Sequence, residues 1–383
     1  MKITGFELFK VRPRWLFLKV DTDAGISGWG EPVIEGKADT VRTAVEELMG
    51  RIMGGDPRHI EEHWNTLYRD GFYRGGPILM SAMAGIDQAL WDIKGKALDV
   101  PIYELLGGKT RDTIKVYSPL EREPLEDLVQ AARDARDAGF TAAKMNGCAE
   151  QMQIIDSHQK IDRAIHRVAA VREAVGDALD IGIDFHGRLH KPMAKVLAKE
   201  LEPFHPMFIE EPVLPEHNDA LREIARHSSI PIATGERMYS RWDFKSLLAD
   251  GVVDIIQPDV SHAGGITECK KIFSMAEAYD VAAAPHCPIG PIALAACLQV
   301  DACCYNAFIQ EQSITSIYND DIDLLDYLTN REVFDIKGGQ LQIPTGPGLG
   351  IEMNEDYVRE MATQSHEWKN PTWRHQDGSI AEW

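Results

Sequence analysis

The sequence predicts an α/β protein in which a closed barrel of parallel strands follows an α+β module. Two observations carry this. Between about residue 113 and residue 330, eight short apolar runs alternate with helical patterns. Such alternation argues parallel strands joined by crossover helices, and eight units in roughly 200 residues suit a closed barrel. The preceding 112 residues have a different texture, a short meander followed by helices.

Within the opening region, 1–112, the runs at 3–11, 15–21 and 27–32 read as antiparallel strands with an Asp23-Ala24-Gly25 turn. Helical patterns follow at 38–49, 59–68 and 78–97, before Leu105-Leu106-Gly107-Gly108 stops the last one. In the barrel region, 113–330, the expected strands are 114–118, 142–146, 181–186, 207–212, 231–236, 255–259, 281–286 and 307–312. The final segment, 331–383, carries the Gly/Pro-rich Pro344-Thr345-Gly346-Pro347-Gly348-Leu349-Gly350 and ends near Asn370-Pro371-Thr372-Trp373. It is expected to pack back onto the first module or an adjacent surface.

A chain of 383 residues is long enough for two or three domains and a sizeable core. Its 40 basic and 60 acidic residues leave a formal charge of −20, which would repel a phosphate backbone and argues against nucleic acid as a partner. No stretch approaches about 20 uninterrupted apolar residues and the N-terminus opens into a strand-like run, so no membrane partner and a cytoplasmic address are expected. The cysteines Cys148, Cys269, Cys287, Cys297, Cys303 and Cys304 show no CxxC pairing and read as buried thiols.

The chemistry is carried by the strand ends: Asn146, Asp184 with His186, Glu210, Glu236, Asp259, His286 and Glu311. From Asp184 the steps are 26, 26, 23, 27 and 25 residues, each about one strand, helix and loop, so these side chains should converge on the C-terminal rim. Taken singly, each is an ordinary loop carboxylate or core histidine; their shared phase favours a site. Asp184, Glu210 and Glu236 would bring three carboxylates together, which like-charge repulsion forbids without a counter-charge. All-oxygen ligation favours a hard ion, Mg²⁺ or else Mn²⁺, one per chain. A carboxylate at Asp259 would fix the tautomer and raise the basicity of His286, a general-base arrangement. His186, two residues after Asp184 and so on the same strand face, is placed to give a proton to a departing hydroxyl or to orient Asp184. Glu311 could hydrogen-bond a substrate carboxylate if protonated, or be a plain loop residue.

These residues resemble the enolase superfamily and, within it, the mandelate-racemase-like branch. The resemblance covers essentially the whole chain. It runs through Gly85-Ile86-Asp87-Gln88-Ala89-Leu90-Trp91-Asp92-Ile93-Lys94-Gly95-Lys96, Ile183-Asp184-Phe185-His186, Phe208-Ile209-Glu210-Glu211-Pro212, Gly235-Glu236-Arg237, Gln257-Pro258-Asp259, Ala284-Pro285-His286 and Pro347-Gly348-Leu349-Gly350. More narrowly, Asn146-Gly147-Cys148, Asp184-Phe185-His186-Gly187-Arg188, the segment Ser261-His262-Ala263-Gly264-Gly265-Ile266-Thr267-Glu268-Cys269, Gln310-Glu311-Gln312-Ser313 and the tail from Trp373-Arg374-His375 to Ala381-Glu382-Trp383 resemble galactonate-dehydrating members of that branch.

The resemblance implies a TIM-like (β/α)7β barrel with an α+β capping domain formed by the N-terminal region and part of the C-terminal segment. It implies Mg²⁺ on Asp184, Glu210 and Glu236, His286 as base assisted by Asp259, His186 as the acid expelling a 3-hydroxyl, and Glu311 stabilising the intermediate. The expected reaction is dehydration of a sugar acid, D-galactonate first, to a 2-keto-3-deoxy acid. Many relatives end the second strand with two lysines spaced by one residue, whereas this chain has Lys144-Met145-Asn146; asparagine cannot abstract a proton, which disfavours two-base racemisation. A 2-hydroxy-acid racemase or epimerase, a dehydratase of another aldonate, and a non-catalytic sugar-acid sensor remain alternatives. Asn146, Lys144, Arg14, Trp15 and Tyr73 are candidate substrate contacts; the stretches Arg12-Pro13-Arg14-Trp15 and Tyr73-Arg74-Gly75-Gly76 either read distal hydroxyls or are surface turns. A small-molecule substrate and a homo-oligomer are expected.

Overall fold

The computed structural model describes residues 1–147, 155–319, 321–375 and 377–382. Cys148 and Trp383, both part of the sequence expectations, lie outside the described residues.

The meander forms as β1 (Ile3–Val11), β2 (Trp15–Thr22) and β3 (Ser27–Gly30), antiparallel in that order. The helices are α1 (Ala38–Ile52), α2 (Ile60–Arg69) and α3 (Pro77–Leu98), with a single turn, α4 (Ile102–Leu105), after them. Pro77 starts α3 and Asp99, in the left-handed region at φ 55°, ends it. α3 is buried almost all round because it lies between the meander and the barrel. The approach to β3 is so close that a Cβ on Gly30 would lie 1.9 Å from the Gly85 carbonyl oxygen, so only glycine fits there.

The barrel staves are β5 (Ser118–Leu120), β6 (Ala142–Asn146), β7 (Asp180–Asp184), β8 (Phe208–Glu210), β9 (Ile232–Thr234), β10 (Ile255–Ile256) and β11 (Ala282–Ala283), all parallel and hydrogen-bonded in sequence order. The connecting helices include α5 (Leu125–Asp137), α6 (His158–Val175), α7 (Lys191–Leu201), α8 (Leu221–Ala225), α9 (Arg241–Asp250), α10 (Gly265–Glu277) and α11 (Pro291–Ala302). The eighth run, 307–312, closes the ring through single bridges rather than a regular strand: Ala307 meets Ala283 on one side and Gln310 meets Val116 on the other. Tyr117, Ala142, Phe208, Ala233, Ile255, Ala284 and Ile309 form one buried cluster drawn from seven staves. Gly182 supplies the remaining space, since a Cβ there would meet the Phe208 ring at 2.7 Å. The barrel is therefore a packed core at this level.

Two expectations change. The run expected at 114–118 divides: β4 (Thr113–Lys115) leaves the barrel and pairs antiparallel with β12 (Gln340–Gln342), so the first stave is β5. Leu341, fully buried opposite Ile114, gives that pairing its apolar contact. The strand expected at 181–186 ends at Asp184: Phe185 makes the last ladder bond, from its N–H to the Glu210 carbonyl, and His186 then turns into the left-handed region at φ 49°.

The C-terminal segment also returns to the first module. α12 (Glu355–Thr363) lies on β1, with Glu355 bonded to Lys19 and Arg359 to Glu7, while Tyr327 donates to the Arg12 carbonyl. Cys269, Cys287, Cys297 and Cys304 are buried free thiols and Cys303 is half-buried. Among the described residues, no helix is long and apolar enough to cross a membrane.

Candidate active site

Asp184 and Glu210 are the last residues of β7 and β8 and face each other in the ladder. Glu236 follows β9 by two residues, after Gly235 at φ 137°, where a Cβ would meet the Phe244 ring at 2.7 Å. One oxygen from each of Asp184, Glu210 and Glu236 lies within 4.8 Å of the others. Asp184 and Glu210 are 2% and 0% exposed. Burial, and then the charge of Asp184, push the Glu210 carboxyl well above its ordinary range. Burial also works to raise Asp184, but His186 and Lys144 outweigh it and hold that carboxyl low.

Lys144, on β6, brings a cation to this group. Its Nζ lies 2.6 Å from Glu210 Oε1, 2.7 Å from Glu311 Oε1 and 3.8 Å from Asp184 Oδ2. Burial alone would discharge it; Glu210 and Glu311 instead raise its pKa well above the usual lysine value. The other Glu210 oxygen accepts from Gln257 Nε2 at 2.6 Å. Oxygens of the three carboxylates converge within 4.8 Å in a low-dielectric setting and Lys144 reaches only two of the three, so the all-oxygen donor set fits a hard divalent ion.

His286 and Asp259 lie three residues past β11 and β10. His286 Nδ1 is 2.7 Å from Asp259 Oδ2, and Nε2 is 3.4 Å from Glu236 Oε2. Burial opposes protonation of this ring, but Glu236, Glu311 and Asp259 together raise its pKa well above the ordinary histidine value. Asp259 is held low against its burial by His262 and His286. Glu311 accepts the Cys287 N–H at 2.8 Å and, despite burial, is held low by Lys144 and His286. In this arrangement its two oxygens meet the Cys287 N–H and the Lys144 ammonium.

His186 meets Asp184 twice: Nε2 is 2.9 Å from Oδ2 and the backbone N–H donates to Oδ1 at 2.7 Å. Strand alternation does not bring this about, since His186 lies beyond the strand; a left-handed turn folds its ring back. Glu211, also left-handed at φ 43°, repeats this on the next stave and pairs with Arg237 at 2.6 Å. Strained backbone of this kind persists where the surroundings over-determine it, as at functional sites.

The candidate substrate contacts fall in different places. Asn146, half-buried at the end of β6, lines a cavity of about 180 Å³ with Glu121, Arg122, Arg167 and Tyr318. Lys144 is engaged by carboxylates. Arg14 packs among the rings of Trp15, Tyr318 and Trp368 and reaches the Pro288 carbonyl, two residues past His286, at 3.4 Å. Trp15 is fully buried beneath it. Tyr73 is 87% exposed, and its ring meets that of the equally exposed Phe72. Gln257, Arg237, Glu211 and Ser261 were not singled out from sequence as site residues; the doubled carboxylate of Glu210-Glu211-Pro212 was the available signal for the Glu211–Arg237 pair.

Comparison with known proteins bears on the same residues. Residues 127–357 match the family model described as enolase C-terminal domain-like, and residues 11–107 match the mandelate racemase / muconate lactonizing enzyme N-terminal domain. The chain is 56% identical to D-galactonate dehydratase of Ralstonia pickettii (strain 12J), over 100% of both chains. It is 56% identical over the same full span to D-galactonate dehydratase of Pectobacterium atrosepticum. Among solved structures, a putative dehydratase from Mesorhizobium loti matches at 33% identity and a TM-score of 0.88, covering 94% of this chain and 98% of that one.

Proposed function

The chain belongs to the mandelate racemase / muconate lactonizing enzyme family of the enolase superfamily, and from that premise we propose that it is a hydro-lyase converting D-galactonate to 2-dehydro-3-deoxy-D-galactonate. One observation carries the chemistry beyond the family. His286 and His186 touch the two outer carboxylates of the cluster, Glu236 and Asp184, while the strand of Glu210 lies between. A proton acceptor and a proton donor thus flank one locus.

Asp184, Glu210 and Glu236 would hold one Mg²⁺, with Mn²⁺ an alternative occupant. When bound, that ion supplies positive charge against the negative charge that develops on a substrate carboxylate. Asp259 accepts from His286 Nδ1, so the neutral ring presents its Nε2 lone pair, on the side of Glu236, to take the C2 proton. The electron pair left at C2 delocalises into the carboxylate and then forms the C2–C3 double bond as the C3–O bond breaks. His186 protonates the departing 3-hydroxyl, so water leaves, and the resulting enol tautomerises to the 2-keto acid. Lys144 neutralises Glu210 and Glu311 and keeps both in place. Asn146, lining the cavity of about 180 Å³, and Arg14 beside Pro288 are the contacts proposed for the sugar-acid chain, with Trp15 supporting Arg14. Its five described thiols are free, which suits a reducing cytoplasm, and we include a homo-oligomeric state in the proposal.

A panel of aldonates incubated with the protein and Mg²⁺, with keto-acid detection, tests the substrate. D-Galactonate should give the strongest turnover. Product from a different aldonate and none from galactonate would overturn the substrate assignment while leaving the chemistry.

A further inference from the structure

The Asp259–His286 pair is braced from outside the barrel. Asp259 Oδ1 accepts the Ser261 N–H at 2.7 Å, leaving Oδ2 for His286. Ser261 Oγ in turn accepts from Gln88 Nε2, on α3 of the first module, at 3.0 Å. Gln88 Oε1 accepts the Glu31 N–H at 2.7 Å, and Glu31 reaches the far side of the same pair: its two carboxyl oxygens accept the N–H groups of Gly290 and Ala293, at 2.8 and 2.9 Å, where α11 begins just past His286. Glu31, Gln88 and Ser261 are each 0% exposed. Ser81, about two turns earlier on the same face of α3, meets His262 Nδ1 at 3.0 Å and adds a second brace to the same loop.

A fully buried glutamine and glutamate are costly unless every polar atom is satisfied, and these two find partners on the loops that carry Asp259 and His286. A core that needed only packing between modules would do as well with apolar residues. We propose that Gln88 and Glu31 are positioning residues: from the first module they fix the orientation of the Asp259 carboxylate and the His286 ring, so the aim of the base is set across the interface between module and barrel. This rests on His286 being the base.

The test is a double-mutant cycle. Gln88→Met, similar in size but without polar atoms, should lower kcat by about 10- to 100-fold and leave KM within about threefold, because it disturbs the reacting geometry rather than uniform binding. In the Asp259→Asn background the same change should cost less than about threefold, since the group through which Gln88 acts is already altered. Equal losses in both backgrounds, or no loss in the first, would overturn the proposal. Should Gln88→Met fail to fold, Ser261→Ala removes only the hydroxyl link and is judged by the same two criteria. Proton NMR of the apo protein gives a readout that needs no turnover: the His286 Nδ1–H resonance, identified by its absence in His286→Asn, should shift in Gln88→Met. An unshifted resonance would overturn the proposal whatever the substrate. If the wild type turns over a different aldonate, the substrate assignment fails and the cycle is run on that acid.

Discussion

The Nδ1 atom of His286 lies 2.7 Å from an Asp259 oxygen whose partner oxygen is already taken by the Ser261 N–H. Both oxygens of the carboxylate are thus committed, and the ring has one tautomer available when neutral. Asp259→Asn removes the charge while keeping the shape. It should lower kcat by about 10²- to 10⁴-fold with a much smaller effect on KM, as steady-state kinetics will show.

Removal of divalent ions should abolish turnover. Titration calorimetry with Mg²⁺ and with Mn²⁺ should find one site per chain, and Glu210→Gln, which replaces one ligand carboxyl of the cluster with an amide, should weaken it by about 10-fold or more. Undiminished binding in that variant would mean that the ion sits elsewhere.

Lys144 lies between Glu210 and Glu311, both nearly or fully buried. Lys144→Met strands two carboxylates in a low-dielectric site, and breaking a buried pair of this kind costs about 3–5 kcal/mol. Thermal unfolding in EDTA should therefore occur at a clearly lower temperature than for the wild type, and Mg²⁺ should narrow the gap. An unchanged unfolding temperature would contradict the role of Lys144 as counter-ion.

Asp87 on α3 accepts from both the N–H and the hydroxyl of Thr267, and burial raises its pKa from 3.8 to about 7. The folded state therefore holds its proton more tightly than the unfolded chain does. The sign follows: the stability this group contributes is fully present below pH 3.8 and is lost as pH rises through 7. The difference in unfolding temperature between wild type and Asp87→Asn should accordingly shrink from pH 4 to pH 8, and a difference that grows over that range would contradict the assignment.

The three carboxylates could be located from sequence because each βα unit consumes about 26 residues, so equal spacing becomes equal height in the barrel. His186 kept its neighbour but not for the reason expected: period-two alternation ends at Asp184, and only the positive φ explains its contact. No local pattern in 114–118 reveals that a segment more than two hundred residues later claims Thr113–Lys115, since register with Gln340–Gln342 is a long-range property. The links through Gln88 and Glu31 were hidden for a similar reason. Polar residues in an apolar helix or beside a strand look alike until both modules are in place. Tyr73, placed near the site by its neighbours in sequence, stands on an exposed turn.

Deuterium exchange separates the two histidines most directly. D-Galactonate is incubated with Mg²⁺ in D₂O and with wild type, His286→Asn or His186→Asn, and both C2 deuteration and keto acid are followed by NMR. His286→Asn should show neither, while His186→Asn should exchange C2 deuterium with little or no keto acid. Equal loss of exchange in both variants, or a deuterated C2 epimer without keto acid from the wild type, would contradict proton abstraction by His286 followed by hydroxyl loss at His186.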